Sequence, residues 1–584
     1  MSDLLNSASL VMIPSGYKED KIYSVVPSDG SGDLSFTRAS NGTRVNSAGV
    51  VEVAPWNLVE YSEQIDNGVW TKFSPTSVTA DTTTAPNGTT TADTISTSST
   101  SVIRQSTTLN ANEIYTYSIY VKKISYDFFG FQNLVNGSGV KSVFDLSNGT
   151  VTSQGSGHTA SIESVGNGWY RCFITFNSGS SASNIFDLAA DGTSATLRTF
   201  YAWGAQSNIG STAKPYFPTT DRLNVPRLTY PNGGGGCPSL LLEKQSTNLV
   251  TYSEQFDNAA WIKLNGSVTA NTSISPDGTQ NADSFIPNTT SGIHALRSNL
   301  FNQSATASHS WFVKANGYTK IAVRESELVG NYATFNLSTG TLISTNQTGS
   351  IQNLGNGWYR CTLVDTTTGA NAQTSILVLP DSYTSGDPIV VNWSGDGTKG
   401  VFAWGAQVEI SSYPTSYIPT TSSSATRVLD VCSKTGISSL IGQSEGVLFA
   451  DVNIGQINVA TDRGIISLGV NGAGYTSAIY VSLYNTDIYL IGFVGGTPQF
   501  TGISKTIPSI GRYKIAVAYK QNDFVMYING EQIGTRTSGN IPSTLSVFGI
   551  GNINTGFYGD FEINQTAIFP TRLSNSELQS LSTI

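Results

Sequence analysis

The residues whose types and spacing could do chemistry are few. Gly442-Gln443-Ser444-Glu445-Gly446 matches G-x-S-x-G, the turn that presents a nucleophilic serine between a strand and a helix. That chemistry needs an acid and then a histidine further along the chain to take the serine proton. The three histidines, His158, His294 and His309, all precede Ser444, and a strand-like run from Val447 to Val452 follows it. The match is therefore expected to be a tight turn. None of the histidines sits in a metal-ligand spacing such as H-E-x-x-H, so surface or strand positions are expected for them. The 4 cysteines include no C-x-x-C pair, and each is expected as a small buried apolar residue. The run Gly233 to Gly236 lacks the Lys-Ser/Thr of a phosphate-binding loop and reads as a flexible turn. Glycoside hydrolysis would need two carboxylates about 5–10 Å apart. Glu63 with Glu254, and Asp66 with Asp257, are the candidates by position, against a structural role in a turn. No catalytic, cofactor-binding or metal-ligating residue is assigned, no cofactor is implied, and the ligand-contacting residues are left open.

What brings those acids forward is that the chain repeats itself. Asn57-Leu58-Val59-Glu60-Tyr61-Ser62-Glu63-Gln64 returns as Asn248-Leu249-Val250-Thr251-Tyr252-Ser253-Glu254-Gln255. Gly166-Asn167-Gly168-Trp169-Tyr170-Arg171-Cys172 returns as Gly355-Asn356-Gly357-Trp358-Tyr359-Arg360-Cys361, and Ala202-Trp203-Gly204-Ala205-Gln206 as Ala403-Trp404-Gly405-Ala406-Gln407. The spacing is about 190 to 200 residues, far beyond the roughly 20–50 of a solenoid unit, so whole domains are duplicated. The repeated cysteines Cys172 and Cys361 hold one position in two copies and cannot pair within a copy. The repeated tryptophans, Trp70/Trp261, Trp169/Trp358 and Trp203/Trp404, have the apolar faces that stack on sugar rings. They recur inside strand-like segments, so core positions are expected, with ligand contacts in loops where the copies differ.

The 584 residues leave room for about three to five domains. Only 12% are Asp, Glu, Lys or Arg, against roughly 25% in an average globular chain, and Ser, Thr, Asn and Gly fill the gap. A net charge of −9 offers no basic field for nucleic acid. No run of about 18 apolar residues could cross a membrane, and the first residues do not read as a secretion signal.

Alternation such as Tyr115, Tyr117, Ile119 and Val121 against Thr116, Ser118, Tyr120 and Lys122 marks half-buried strands. Asn529-Gly530 between apolar runs predicts a hairpin turn. One short helix is expected, with Ser574 as N-cap and Glu577 three residues on. The fold class is all-β, a sandwich in each domain: residues 1–56 a preface, 57–220 the first copy, 221–247 a linker, 248–421 the second copy, 422–435 a linker, and 436–584 an unrepeated domain. The apolar stretches Leu10 to Ile13 and Ile22 to Val26 read as strands added to a neighbour.

Several of these segments resemble bacteriophage virion fibre proteins of the head-fibre or tail-fibre type. Leu10-Val11-Met12-Ile13-Pro14-Ser15-Gly16-Tyr17-Lys18, Thr37-Arg38-Ala39-Ser40 and Thr43-Arg44-Val45-Asn46-Ser47-Ala48-Gly49 are similar to the opening of such chains. Pro226-Arg227-Leu228-Thr229-Tyr230 and Cys237-Pro238-Ser239-Leu240-Leu241-Leu242-Glu243 resemble their recurring linker. The two copies resemble jelly-roll, carbohydrate-binding-like modules. The last domain resembles a concanavalin A-like or laminin-G sandwich through Gly446 to Phe449, Tyr513 to Gly530, Phe557 to Phe561 and Phe569 to Leu578. The resemblance implies a structural, non-enzymatic protein on a phage particle, made in the host cytoplasm. It would attach through residues 1–56 to other virion proteins, form a dimer or trimer, and touch host-surface glycans. A polysaccharide depolymerase and a purely architectural decoration protein are the alternatives.

Overall fold

The computed structural model describes residues 3–97, 101–109, 113–135, 137–179, 183–189, 197–231, 234–325, 330–389, 392–554 and 556–584. Gly233 lies outside them. Among them the chain is almost entirely β, and it divides into two compact units, Ala54–Leu223 and the remainder, Met1–Val53 with Asn224–Ile584.

Ala54–Leu223 is a sandwich of two six-stranded antiparallel sheets. One runs Thr150–Ser153, Ser138–Asp145, Phe128–Val135, Ser183–Ala189, Ile103–Thr108 and Thr71–Lys72; the other runs His158–Gly166, Trp169–Asn177, Ile114–Lys123, Arg198–Ile209, Ala92–Thr97 and Ser77–Thr83. The predicted alternation places Tyr115, Tyr117, Ile119 and Val121 against Phe131, Phe176 and Phe186, but the other face is not all left to water, since Thr116 and Ser118 are buried as well. Tyr117 meets Phe176 edge-on at 4.8 Å and stacks on Phe186 at 4.9 Å. The second copy, within the other unit, repeats this strand order in its own two six-stranded sheets, spanning Ile262–Leu264 to Gly400–Glu409.

The unrepeated domain is a larger sandwich with sheets of eight and nine strands, and it draws on three stretches of the chain. Leu10–Met12 pairs with Phe561–Phe569, while Tyr17–Lys18, Lys21–Ile22 and Leu34–Thr37 extend the nine-stranded sheet through Val431–Thr435. Residues 221–247, expected as a linker, supply Arg227–Thr229 and Ser239–Leu242, the latter paired with Phe561–Phe569. Residues 422–435, also expected as a linker, supply Val431–Thr435 and Ala425–Arg427, which pairs with Ser246–Asn248. Leu10, Met12, Ile22, Leu34, Phe36, Leu228, Leu240, Leu242 and Cys432 share one core with Leu448, Val517, Phe548 and Ile563. Apolar burial draws these segments in. Both copies are thus insertions in the connectivity of a single discontinuous sandwich.

Asn529 and Gly530 take φ of 51° and 79° and close the hairpin between Asp523–Ile528 and Glu531–Arg536, the turn their sequence predicts. Ser574 caps the helix Asn575–Ser582 in a full capping box with Glu577. No helix among the described residues is long and apolar enough to cross a membrane.

Candidate functional site

Gln443 donates from its side chain to the carbonyls of Ser438, Ile441 and Leu545, and Tyr519 Oη donates to Gly442 O. Ser444 is exposed in this turn, and the strand Glu445–Ile454 begins beside it. The histidines are all interior strand residues, and the surface alternative does not apply. His158 lies 2.9 Å from Ser142 Oγ and 2.6 Å from Asn133 Oδ1, and burial pushes its pKa down to about 4. His294 bridges the carbonyls of Asn265 and Trp393.

The duplicated acids pin each copy closed. Tyr216 Oη donates to Glu63, and Tyr417 Oη donates to Glu254 at 3.0 Å, joining the start of each copy to its closing segment. Asp66 and Asp257 contribute backbone carbonyls that accept from Lys72 Nζ and Lys263 Nζ. The six repeated tryptophans are buried. Cys172, Cys361 and Cys432 are buried as expected, but Cys237 is exposed. It follows the run Gly233 to Gly236 in the connection between Arg227–Thr229 and Ser239–Leu242.

A second duplicated pair, Asp93 and Asp283, was not singled out by sequence reasoning. Each is buried beneath the start of its copy, and burial pushes each carboxyl up to about 6. The repeat of Ala92-Asp93 as Ala282-Asp283 was the available signal.

The copies also differ inside. By strand register, His309 stands in copy two where Tyr117 stands in copy one, and Asp365 where Phe176 stands. The aromatic stack of copy one becomes a buried polar group. His309 Nε2 meets Gln303 Oε1 at 3.1 Å, and Asp365 accepts from Gln303, Asn331 and Thr367. Burial pushes His309 down to about 4 against the opposing pull of Asp365 and Glu325. His309 Nδ1 is left buried without a hydrogen-bond partner, so the polar group of copy two is only partly satisfied.

A cleft of about 320 Å³ within the larger unit has the features of a binding site. Its polar lining includes Arg44, Glu243, Arg360, Tyr413, Asp560 and Glu562, with Val51, Leu354, Phe312 and Phe561 among the apolar residues. Asp560 and Glu562 are two apart in extended chain and so face the same way. Asp560 accepts from the Lys244 backbone N–H at 2.7 Å and from Tyr413 Oη, and Glu562 accepts from Asn453 Nδ2 at 3.1 Å. Burial raises both carboxyls above the usual range.

Behind the cleft lies a network of buried ion pairs. Arg227 bonds Glu243 at 2.7 Å and also Asp430, which Arg38 reaches at 2.9 Å. Ser416 donates to Glu243 from its N–H and its hydroxyl. Burial works to raise Glu243, but Arg427 and Arg227 hold it at about 2. The network ties the preface (Arg38), the 221–247 stretch (Arg227, Glu243) and the 422–435 stretch (Asp430) to the end of copy two (Ser416). The cleft it supports offers hydroxyl, amide and carboxyl groups beside apolar walls. Its chemistry suits hydrogen bonding to a polyhydroxylated ligand. Among the described residues no group of three or more His, Cys, Asp or Glu is placed to hold a metal ion.

No protein-family model matches the chain, and no curated protein matches it. Solved structures similar to part of it include the CBM40 of the IT-sialidase of Ruminococcus gnavus, 13% identical over 26% of this chain and 91% of that one, with a TM-score of 0.22. The same module bound to α2,3-sialyllactose is 14% identical over 26% of this chain and 92% of that one, with a TM-score of 0.22. The NanB sialidase of Streptococcus pneumoniae is 12% identical over 26% of each chain, with a TM-score of 0.23. At these TM-scores the likeness carries no argument about ligand or activity.

Proposed function

We propose that this chain is a structural protein of a bacteriophage particle, a head fibre or spike that presents β-sandwiches to glycans on the host surface. The similarity of its opening and linker segments to virion fibre chains supports the particle assignment. The observation that carries the glycan assignment is the cleft of about 320 Å³ lined by Arg44, Tyr413, Asp560 and Glu562 beside apolar residues, a size that takes one or two sugar rings. Weak binding at one cleft becomes useful when a dimer or trimer, present in many copies on a particle, engages many sites at once. The reading has no hydrolytic step, so no reducing sugar is released from host polysaccharide; release would favour a depolymerase.

Attachment through the preface needs a specific form, because its strands are part of a core. The exposed groups there, such as Tyr23 and Lys18, are the ones available to other virion proteins. Deleting residues 1–56 would remove core strands, so point changes test attachment better: Tyr23→Ala with Lys18→Glu is expected to leave a folded protein that no longer joins particles.

The glycan assignment is tested by probing a glycan array with the intact protein and with Asn453→Ala and Gln352→Ala, which alter cleft residues outside the ion-pair network. Binding to a defined set of glycans that falls at least tenfold in both variants is expected. Binding unchanged in both would overturn the cleft assignment, and no binding by the parent would leave the purely architectural alternative.

A further inference from the structure

The two copies carry the same aromatic face, and in only one is it covered by the neighbouring hairpin. In copy two, Phe312, Trp358, Trp404 and Tyr417 cluster with Ala282, and Val51 lies among them. Val51 belongs to the hairpin formed by Gly42–Val45 and Val51–Ala54, whose N–H at Val51 donates to Pro276 O at 2.9 Å. Under it Phe312 is 2% and Tyr417 3% exposed.

Copy one builds the same face from Tyr120, Trp169, Trp203 and Tyr216 with Ala92. The internal geometry is conserved between them: Tyr120 to Trp203 is 5.3 Å where Phe312 to Trp404 is 5.1 Å, and Trp203 to Tyr216 is 4.8 Å where Trp404 to Tyr417 is 4.6 Å. The flanking turns match as well, Gly88 N–H to Ala85 O as Gly278 N–H to Ser275 O. Yet Tyr120 and Tyr216 are partly exposed, and among the described residues of Ala54–Leu223 none takes the place of Val51. The turn glycines report the same difference. A Cβ on Gly278 would meet Val50 at 3.3 Å, while one on Gly88 would meet nothing within 4 Å.

We propose that the face of copy one around Tyr120, Trp203 and Tyr216 docks a β-hairpin of a partner protein, with a β-branched apolar residue seated where Val51 sits on copy two. Copy two is the argument for this occupant, since it shows the same face filled by that chemistry. The tyrosine at 120, where copy two has Phe312, adds a hydroxyl suited to a face whose Tyr120 and Tyr216 stay partly exposed until the partner arrives. The proposal does not depend on the glycan reading.

The probe is a synthetic peptide of residues 42–54, closed head to tail to hold its two strands together, titrated into the intact chain and followed by tryptophan fluorescence and calorimetry. Copy two already holds its own hairpin, so one saturable site per chain is expected. Val51→Lys in the peptide should abolish binding, as should Tyr120→Lys in the protein, whereas Tyr120→Phe, which copies the residue of copy two, should bind at least as tightly. If Tyr120→Lys fails to fold, the peptide substitution and Tyr120→Phe still decide the matter. Absence of saturable binding, binding that survives Val51→Lys, or a soluble oligosaccharide that occupies the face while the peptide does not would each overturn the proposal.

Discussion

The carboxylate of Asp283 accepts the backbone N–H of Phe256 at 2.8 Å, and Asp93 accepts that of Ile65 at 2.9 Å, so one buried acid fastens the start of each copy. Burial lifts both carboxyls to about 6. A folded-state pKa above the ordinary one contributes stability that is fully present below about pH 4 and lost as pH rises through 6. His158 and His309, pushed down to about 4, act in the opposite sense, contributing stability above about pH 6.5 that is lost as pH falls toward 4. The two pairs oppose each other over nearly the same window. Between pH 6.5 and 4 the protein carrying Asp93→Asn and Asp283→Asn should therefore lose stability relative to the parent, on the order of 3 kcal/mol per site at most. Thermal melts across that range check this, and parallel pH profiles for the two proteins would refute it.

Leu10 is fully buried in the core of the unrepeated sandwich. Leu10→Ala should cost about 2–5 kcal/mol, the usual range for a buried leucine. Denaturant unfolding measures the loss. A change near zero would mean that the preface is a free tether after all.

Arg227 stands between Glu243 and Asp430 with no exposure to solvent. Arg227→Ala leaves both carboxylates buried with less compensation and should cost about 3–5 kcal/mol. Lys520→Ala, which breaks the solvent-exposed pair with Glu445, should cost under about 1 kcal/mol. The contrast, read from unfolding curves, separates the network from ordinary surface pairs.

Burial raises the thiols of Cys172, Cys361 and Cys432. Cys237 alone among the four is exposed. A thiol reagent should label one site per folded chain quickly and the other three only on unfolding. Mass spectrometry of the labelled protein identifies the site.

Much of the local structure was legible in the sequence alone. Alternation placed Tyr115, Tyr117, Ile119 and Val121 inward, Asn529-Gly530 marked its hairpin, Ser574 and Glu577 marked the one α-helix among the described residues, and duplication marked two equivalent sandwiches with tryptophans in their cores. These are short-range matters, decided by the period of a strand and by which residues tolerate φ > 0. Only the tertiary structure decided which sheet each strand joins. Leu10 to Met12 reads as a strand in any register, but its partner is Phe561–Phe569, more than 500 residues away, and backbone hydrogen bonding carries no sequence label. For the same reason the stretches expected as linkers became strands, and Arg44, Tyr413 and the pair Asp560 and Glu562 came to line one cleft from three distant parts of the chain. The duplication was written in the sequence; that one copy's aromatic face is covered by the hairpin of Val51 and the other's stays partly open was a matter of packing alone.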